Sequence, residues 1–232
     1  MTAKKIGQEG FVWFIGVVEG RDDPLKLGRV RVRIYNVHSN NKSVLPTDSL
    51  PWATILMPPF SASNKQVGLS PTGLTVGSTV VGFFMDGNDN NNPVILGTFH
   101  GIPDNNNNLH DVPEQARGIN NLKKNIDRKE PSPAFNAKYP FNKVFKTERG
   151  HLIEIDDTPD NERIHVFHRS GTYTEINNKG RKVDKVVGDH FEIILGKKTV
   201  HIKGDVNITV DGSYTVESNS SIKFKAPRID LN

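Results

Sequence analysis

The residues of this chain that could do chemistry are few and widely spaced. Asp156 and Asp157 stand side by side and could serve as paired acid/base carboxylates, but "TPDNE" follows them directly, which is turn and cap chemistry. His165 and His168 are three residues apart, a spacing that puts them on opposite faces of a strand and denies them a shared metal ion. His201 falls in a polar column with Thr209, Glu217 and Lys225 and reads as solvated. His190 shares its column with Val206, Tyr214 and Ile222. If that column faced an axis shared by several chains, His190 could hold an ion or anion there. No catalytic residue and no cofactor is expected, apart from such an ion in the lumen.

Arg29, Arg31 and Arg33 form the one basic stripe, alternating with Val30, Val32 and Ile34. A stripe that bound single-stranded nucleic acid would need exposed aromatic side chains beside it. The interleaved residues here are aliphatic, so the stripe is expected to be a solvated or protein-contacting face, with no nucleic-acid partner. Trp13 and Trp52 read as core residues, and Asn105–Asn108 as a loop by composition.

Composition narrows the remaining classes. The 232 residues carry 30 basic and 26 acidic side chains, a net charge of +4, which alone is no nucleic-acid signature. There is no cysteine, which excludes disulfides, thiolate nucleophiles and cysteine-based zinc sites. No apolar run is long enough to span a bilayer. The apolar N-terminal stretch is bracketed by Glu9 and Glu19 and reads as a strand, so synthesis in a cytoplasm without a signal peptide is expected.

The elements follow from hydrophobic period. Residues 1–102 carry five short strands between Gly, Pro and Asn turns: Phe11–Glu19, Arg29–Val37, Trp52–Met57, Ser78–Asp86 and Pro93–Phe99. A five-stranded OB-fold barrel is the leading expectation, with an SH3-like barrel the alternative. Residues 103–143 lose all period and read as an extended linker, with Phe135, Tyr139 and Phe141 as anchors. Alternation resumes over 144–179 in "HLIEID", "RIHVFH" and "TYTEIN", a neck of strands.

From 180 to 232 the chain repeats every eight residues. Gly180, Gly188, Gly196, Gly204 and Gly212 mark the period. Val186, Ile194, Ile202 and Val210 stand two residues before a glycine, and Val200, Ile208, Val216 and Phe224 four residues after one or, at Phe224, after Ser220. These eight are the expected stalk core, and the glycines are expected to supply turn conformations that other residues adopt only with strain. An octad is one strand and one turn with a single apolar side. A single-chain solenoid would have only about two coils, fewer than such arrays need. Three chains wound together would instead pair every strand above and below, and an intertwined, triple-stranded β-helix is expected.

Three segments together resemble the central spike proteins of contractile phage tails, and are similar to the valine-glycine repeat spike proteins of type VI secretion. "FVWFIGVVEGRDDPLKLGRVRVRIYNVHS", with "LPWATILMP" and "VILGTFHGI", looks like that family's OB domain. "GHLIEIDDTPDNERIHVFHRSGTYTEI" looks like its neck, and the octads look like its β-helical stalk. The resemblance implies an all-β homotrimer in the virion baseplate, docked to a hub ring protein through its OB domains and piercing the host envelope. A lysozyme domain stands between OB domain and stalk in one member; only the linker stands there in this chain, so no enzymatic activity is expected. Ser220 replaces a glycine near "KAPRIDLN", and a separate tip-capping protein is expected at that end. The competing readings are a β-helical enzyme acting on envelope polysaccharide and an OB-type nucleic-acid binder.

Overall fold

The computed structural model describes residues 11–65, 67–101 and 131–230. The described elements are all β, apart from two single-turn 3-10 helices at Thr47–Ser49 and Gly87–Asp89. Asn105–Asn108 and most of the linker lie outside the described residues.

The first five strands are β1 (Trp13–Gly20), β2 (Val30–Ile34), β3 (Trp52–Ile55), β4 (Thr79–Phe84) and β5 (Pro93–Phe99). They close into a barrel in the order β1-β2-β3-β5-β4, with β4 returning to β1 and only β3 and β5 parallel. This is the five-stranded Greek-key barrel of the OB-fold. Period-two alternation turns Phe14, Val18, Val30, Val32, Ile34, Val80, Phe84 and Ile95 into one core. Two interior glycines let the strands close. A Cβ on Gly82 would lie 2.1 Å from the Val94 carbonyl oxygen, and one on Gly16 would lie 2.6 Å from that of Arg33.

The second unit is a meander of β6 (Asn142–Lys146), β7 (Leu152–Asp156), β8 (Arg163–Phe167), β9 (Tyr173–Asn177) and β10 (Lys182–Lys185). Every neighbouring pair is antiparallel. The sheet therefore starts two residues inside the stretch read as linker and ends inside the first octad. "NKVFK" and "KVDK" lack the apolar alternation that marks the inner strands; they join the sheet because hairpin partners template them. Beyond it, residues 186–230 form no strand within the chain.

Gly82→Ala is expected to destabilise the barrel by about 1–3 kcal/mol, since the opposing atom is backbone and has nowhere to go. Gly97→Ala, where a Cβ meets nothing within 4 Å, is expected to leave the melting temperature unchanged. Thermal unfolding of the two variants reads the difference.

Candidate assembly surfaces

The barrel commits its basic stripe to itself. Arg33 is buried and forks onto Glu19, with Nε donating to Oε1 at 2.9 Å and Nη2 to Oε2 at 3.0 Å. It also donates to the Ser39 and Leu45 carbonyls, and Thr47 Oγ1 donates to Glu19 at 2.7 Å. These partners, with the Arg33 bond foremost, hold the Glu19 carboxyl down at about 2. Arg29 reaches Asp23, whose carboxylate also accepts the backbone N–H groups of Leu25, Leu27 and Arg29 and so fixes the β1–β2 loop. Arg31 bonds the Leu50 carbonyl and lies 4.3 Å from the centre of the Trp52 ring, with Arg29 at 5.5 Å. The stripe is a set of internal ties, not the solvated face its alternation suggested. Two tryptophan expectations fail as well. Trp52 is a half-buried platform for guanidinium groups, and Trp13 is 62% exposed on the outer side of β1, paired with Phe83. Phe11 stacks on Phe83 beside it, with ring centres 5.1 Å apart.

The meander is inverted relative to an ordinary half-buried sheet. Its covered face carries Asn142, Glu154, Asp156, Arg163, His165 and Glu175 along with Leu152 and Phe167. Arg163 holds that face together, donating from Nη1 to Glu154 and from Nε to Glu175, both at 2.8 Å. Asn142 Nδ2 donates to the other Glu154 oxygen at 2.9 Å, and His165 Nδ1 lies 3.6 Å from Glu154. Residues 131–141 lie over this network. Phe135 packs above Arg163, Ala134 N donates to Glu175, Lys138 N donates to Thr158, and Arg181 donates to the Ser132 carbonyl. Of the three expected anchors only Phe135 is covered; Tyr139 and Phe141 are exposed. Asp156 is a turn residue, its Oδ1 accepting both the backbone N–H and the hydroxyl of Thr158. His165 is interior, whereas His168 is exposed and stacks on His151 at 4.5 Å. Among the described residues no three His, Cys, Asp or Glu side chains converge as a metal cage.

The opposite face of the sheet is apolar and uncovered. Phe145, Ile153 and Val166 are cross-strand neighbours in one row, and Ile155, Ile164 and Ile176 in the next. All but the partly buried Ile176 are about half exposed or more. Alternation alone could not reveal which face would be covered, because both faces carry large side chains.

Along the octads the backbone bends at 187–188, 195–196, 203–204, 211–212, 219–220 and again at 227. The period of eight is thus geometric as well as compositional, and it continues through Ser220 and Pro227, where no glycine stands. The expected reason for the glycines needs correction. Only Gly180 adopts a left-handed conformation, with φ +73°; Gly188, Gly196, Gly204 and Gly212 do not. Nothing within the chain lies within 4 Å of a Cβ added at any of those four. Neither backbone strain nor crowding inside one chain calls for glycine there.

Val186, Ile194, Ile202 and Val210 sit at 42–51% exposure, beside the bends. Val200, Ile208, Val216 and Phe224 are half to three-quarters exposed. His190 and His201 are both exposed in this stretch, with His190 on the same side of the alternation as the stalk-core residues.

The comparisons agree with this architecture. The sequence model of the Gp5 N-terminal OB domain family matches residues 35–129. Protein Gp5 of Vibrio phage KVP40 is 31% identical over 283 aligned residues, covering 90% of this chain and 66% of that protein. The chain belongs to the Gp5 family. The Pre-baseplate central spike protein Gp5 of Enterobacteria phage T4 is 44% identical over 95 residues, covering 39% of this chain and 16% of that protein. The chain thus spans about two thirds of the first relative and a smaller part of the second. The 283-residue alignment is longer than the 232-residue chain, so the KVP40 protein holds segments within the matched span that this chain lacks.

Two outcomes test the local chemistry. Arg163→Ala leaves two buried carboxylates without their counter-charge and is expected to cost about 3–5 kcal/mol, read as a fall in the unfolding midpoint. Glu19 ionises near 2 in the fold against an ordinary value of 4.5. Its contribution, on the order of 3 kcal/mol, is therefore complete above about pH 4.5 and lost as pH falls towards 2. Glu19→Gln is expected to flatten that part of the stability–pH curve.

Proposed function

We propose that this chain is the structural central spike of a contractile tail baseplate, acting as a homotrimer whose octads form a triple-stranded β-helix. The observation that carries the reading is the row of stalk-core side chains from Val186 to Phe224. All eight are exposed in a stretch that bends every eight residues and in which no strand is formed within the chain. Full burial of such a side chain contributes about 1.5–3 kcal/mol. With 42–76% of each still exposed, the eight contribute roughly half of their full sum per chain, about 6–13 kcal/mol, the same order as the roughly 4–15 kcal/mol that association costs.

Three octad strands, one from each chain, close a prism in which every backbone ladder is paired and no edge is left open. Each octad then advances the axis by about three strand spacings of 4.8 Å. The glycines find their reason in that setting, at corners where strands of neighbouring chains approach. His190 would face the lumen, where three copies could hold an ion. A prism ladder-bonded along its length resists bending, which suits a needle that loads a host envelope at its end.

The barrels would dock to the hub ring, with Phe11, Trp13 and Phe83 as an aromatic contact surface. A tip-capping protein could complete the far end. The role is read as mechanical: the outward columns from Lys197 to Lys225 mix Lys, His, Thr, Asn, Ser, Asp and Glu, with the acidic residues Asp205, Asp211 and Glu217 each in a different column. The nucleic-acid reading lacks support, since the guanidinium groups of the basic stripe are engaged by the domain's own carboxylates and carbonyls. The virion tail is the corresponding location.

Light scattering of the purified chain is expected to give three times 25.8 kDa at micromolar concentration, and a monomer would overturn the reading. Ile202→Asp, on the interior column, is expected to abolish the trimer. Thr209→Asp, on the outward column, is expected to leave it intact. Release of sugar fragments from peptidoglycan by the purified chain would contradict the mechanical role.

A further inference from the structure

Two turns at one end of the neck sheet bring a pair of histidines together. Leu152 and Phe167 are partners across β7 and β8, so the next pair outward sets His151 opposite His168. Opposed residues of an antiparallel pair have Cβ atoms about 4.5–5.5 Å apart on one face. The rings meet accordingly, with centres 4.5 Å apart and planes inclined at 46°. His168 is exposed and His151 half-buried.

Each histidine is held by its own turn. Thr147 N donates to the His151 carbonyl at 2.9 Å, and His151 N donates to Thr147 Oγ1 at 3.1 Å. His168 N donates to the Thr172 carbonyl at 2.8 Å. The His168 ring is oriented as well, since Ser170 Oγ lies 2.8 Å from Nδ1 and donates onward to Thr172 Oγ1 at 3.4 Å. With the ring proton on Nδ1, that nitrogen donates to the Ser170 hydroxyl and Nε2 keeps its lone pair. This tautomer gives up only the exposed bond from Ser170 N to Nδ1, which water can replace. A second ring nitrogen fixed by a hydrogen bond is the usual state of a metal-ligating histidine.

We propose that His151 and His168 bind one divalent ion of the zinc, nickel or copper class between their rings, with water at the remaining positions. Imidazole nitrogen suits those ions, whereas magnesium and calcium take oxygen ligands. Two rings bound to one ion at about 2.0–2.1 Å have centres roughly 4.5–5 Å apart, so little movement is needed. Among the described residues no third His, Cys, Asp or Glu side chain completes a cage, so the site is a weak one. Its position gives the ion a task. The turn before His151 carries Glu148, which accepts a 2.8 Å bond from Arg21 of the barrel. The turn after His168 carries Thr172, whose hydroxyl accepts the Val187 N–H at 3.1 Å, where the octads begin. An ion there pins together two turns, one touched by the barrel and one by the stalk segment. The site is complete within one chain and does not rest on the trimer reading.

Calorimetric titration of the full-length, tag-free chain with zinc or nickel chloride tests this, with the melting temperature read alongside. Binding at micromolar ion and a rise in melting temperature are expected. Magnesium at the same concentration is expected to do neither. His151→Gln and His168→Gln are each expected to weaken binding at least tenfold, and Ser170→Ala about tenfold. His168→Cys, which returns a soft ligand, is expected to restore zinc binding. His201→Gln and His190→Gln are expected to leave it unchanged, the latter separating this site from any ion in the lumen of the stalk.

Undiminished zinc affinity in both glutamine variants would place the ion elsewhere and overturn the proposal. Absence of heat and of any melting shift with zinc and nickel in the natural chain would overturn it equally. Loss of binding in His190→Gln, with binding kept in the His151 and His168 variants, would assign the ion to the lumen and sink the pair. Should a glutamine variant fail to fold, alanine at the same position gives the same readings.

Discussion

Everything in this chain turns on one constraint: a strand of about five residues followed by a bend can bury an apolar side only against other strands. The stretch from Val186 to Asp230 repeats that unit with no strand pairing inside its own chain. An ordinary sheet protein solves the problem by folding back in hairpins, as β6 to β10 do. The octads do not fold back. Their bends recur at a fixed spacing and in one phase, so in the proposed prism successive strands turn about an axis and pair with those of the other chains. On the proposed reading the oligomer is written into the period, and the rigidity of the product follows from the same ladders.

The two units ahead of the stalk solve different problems. The barrel is closed and self-sufficient, its core built by alternation and its arginines tied to Glu19, Asp23 and the Leu50 carbonyl. The neck sheet is only half self-sufficient. Arg163 bridges Glu154 and Glu175 under residues 131–141, and this network fastens the incoming chain to the sheet. A buried, bidentate charge network is a poor source of net stability but a strict one for geometry, since each partner left alone is costly. In the proposed spike this junction would pass force from a globular domain to a needle, where strict geometry is the property of use.

The barrel strands and three inner strands of the neck are legible in the sequence because each alternates apolar and polar residues with a buried consequence. The octads are legible through glycine spacing, although turn strain, the usual reason for such glycines, does not hold for four of the five. Their φ values are ordinary, and the bend continues at Ser220 without glycine. Strands β6 and β10 escape notice because their pairing depends on neighbours and not on their own pattern. The fates of Trp13, Trp52 and Arg33 are hidden for a related reason. Alternation tells which residues share a face, but not whether a cation on that face finds water or finds a carboxylate and a carbonyl. The same ambiguity conceals the inverted neck sheet, whose two faces both carry bulky side chains.

Hydrogen–deuterium exchange along the backbone tests the central claim most directly, because it reads the ladders themselves. If the octads form an interchain prism, amides from 187 to 226 will be among the slowest to exchange, at least as protected as those of β1 and β4. If those amides exchange at the rate of an unstructured chain while the barrel stays protected, the octads are not paired and the account of the stalk is wrong.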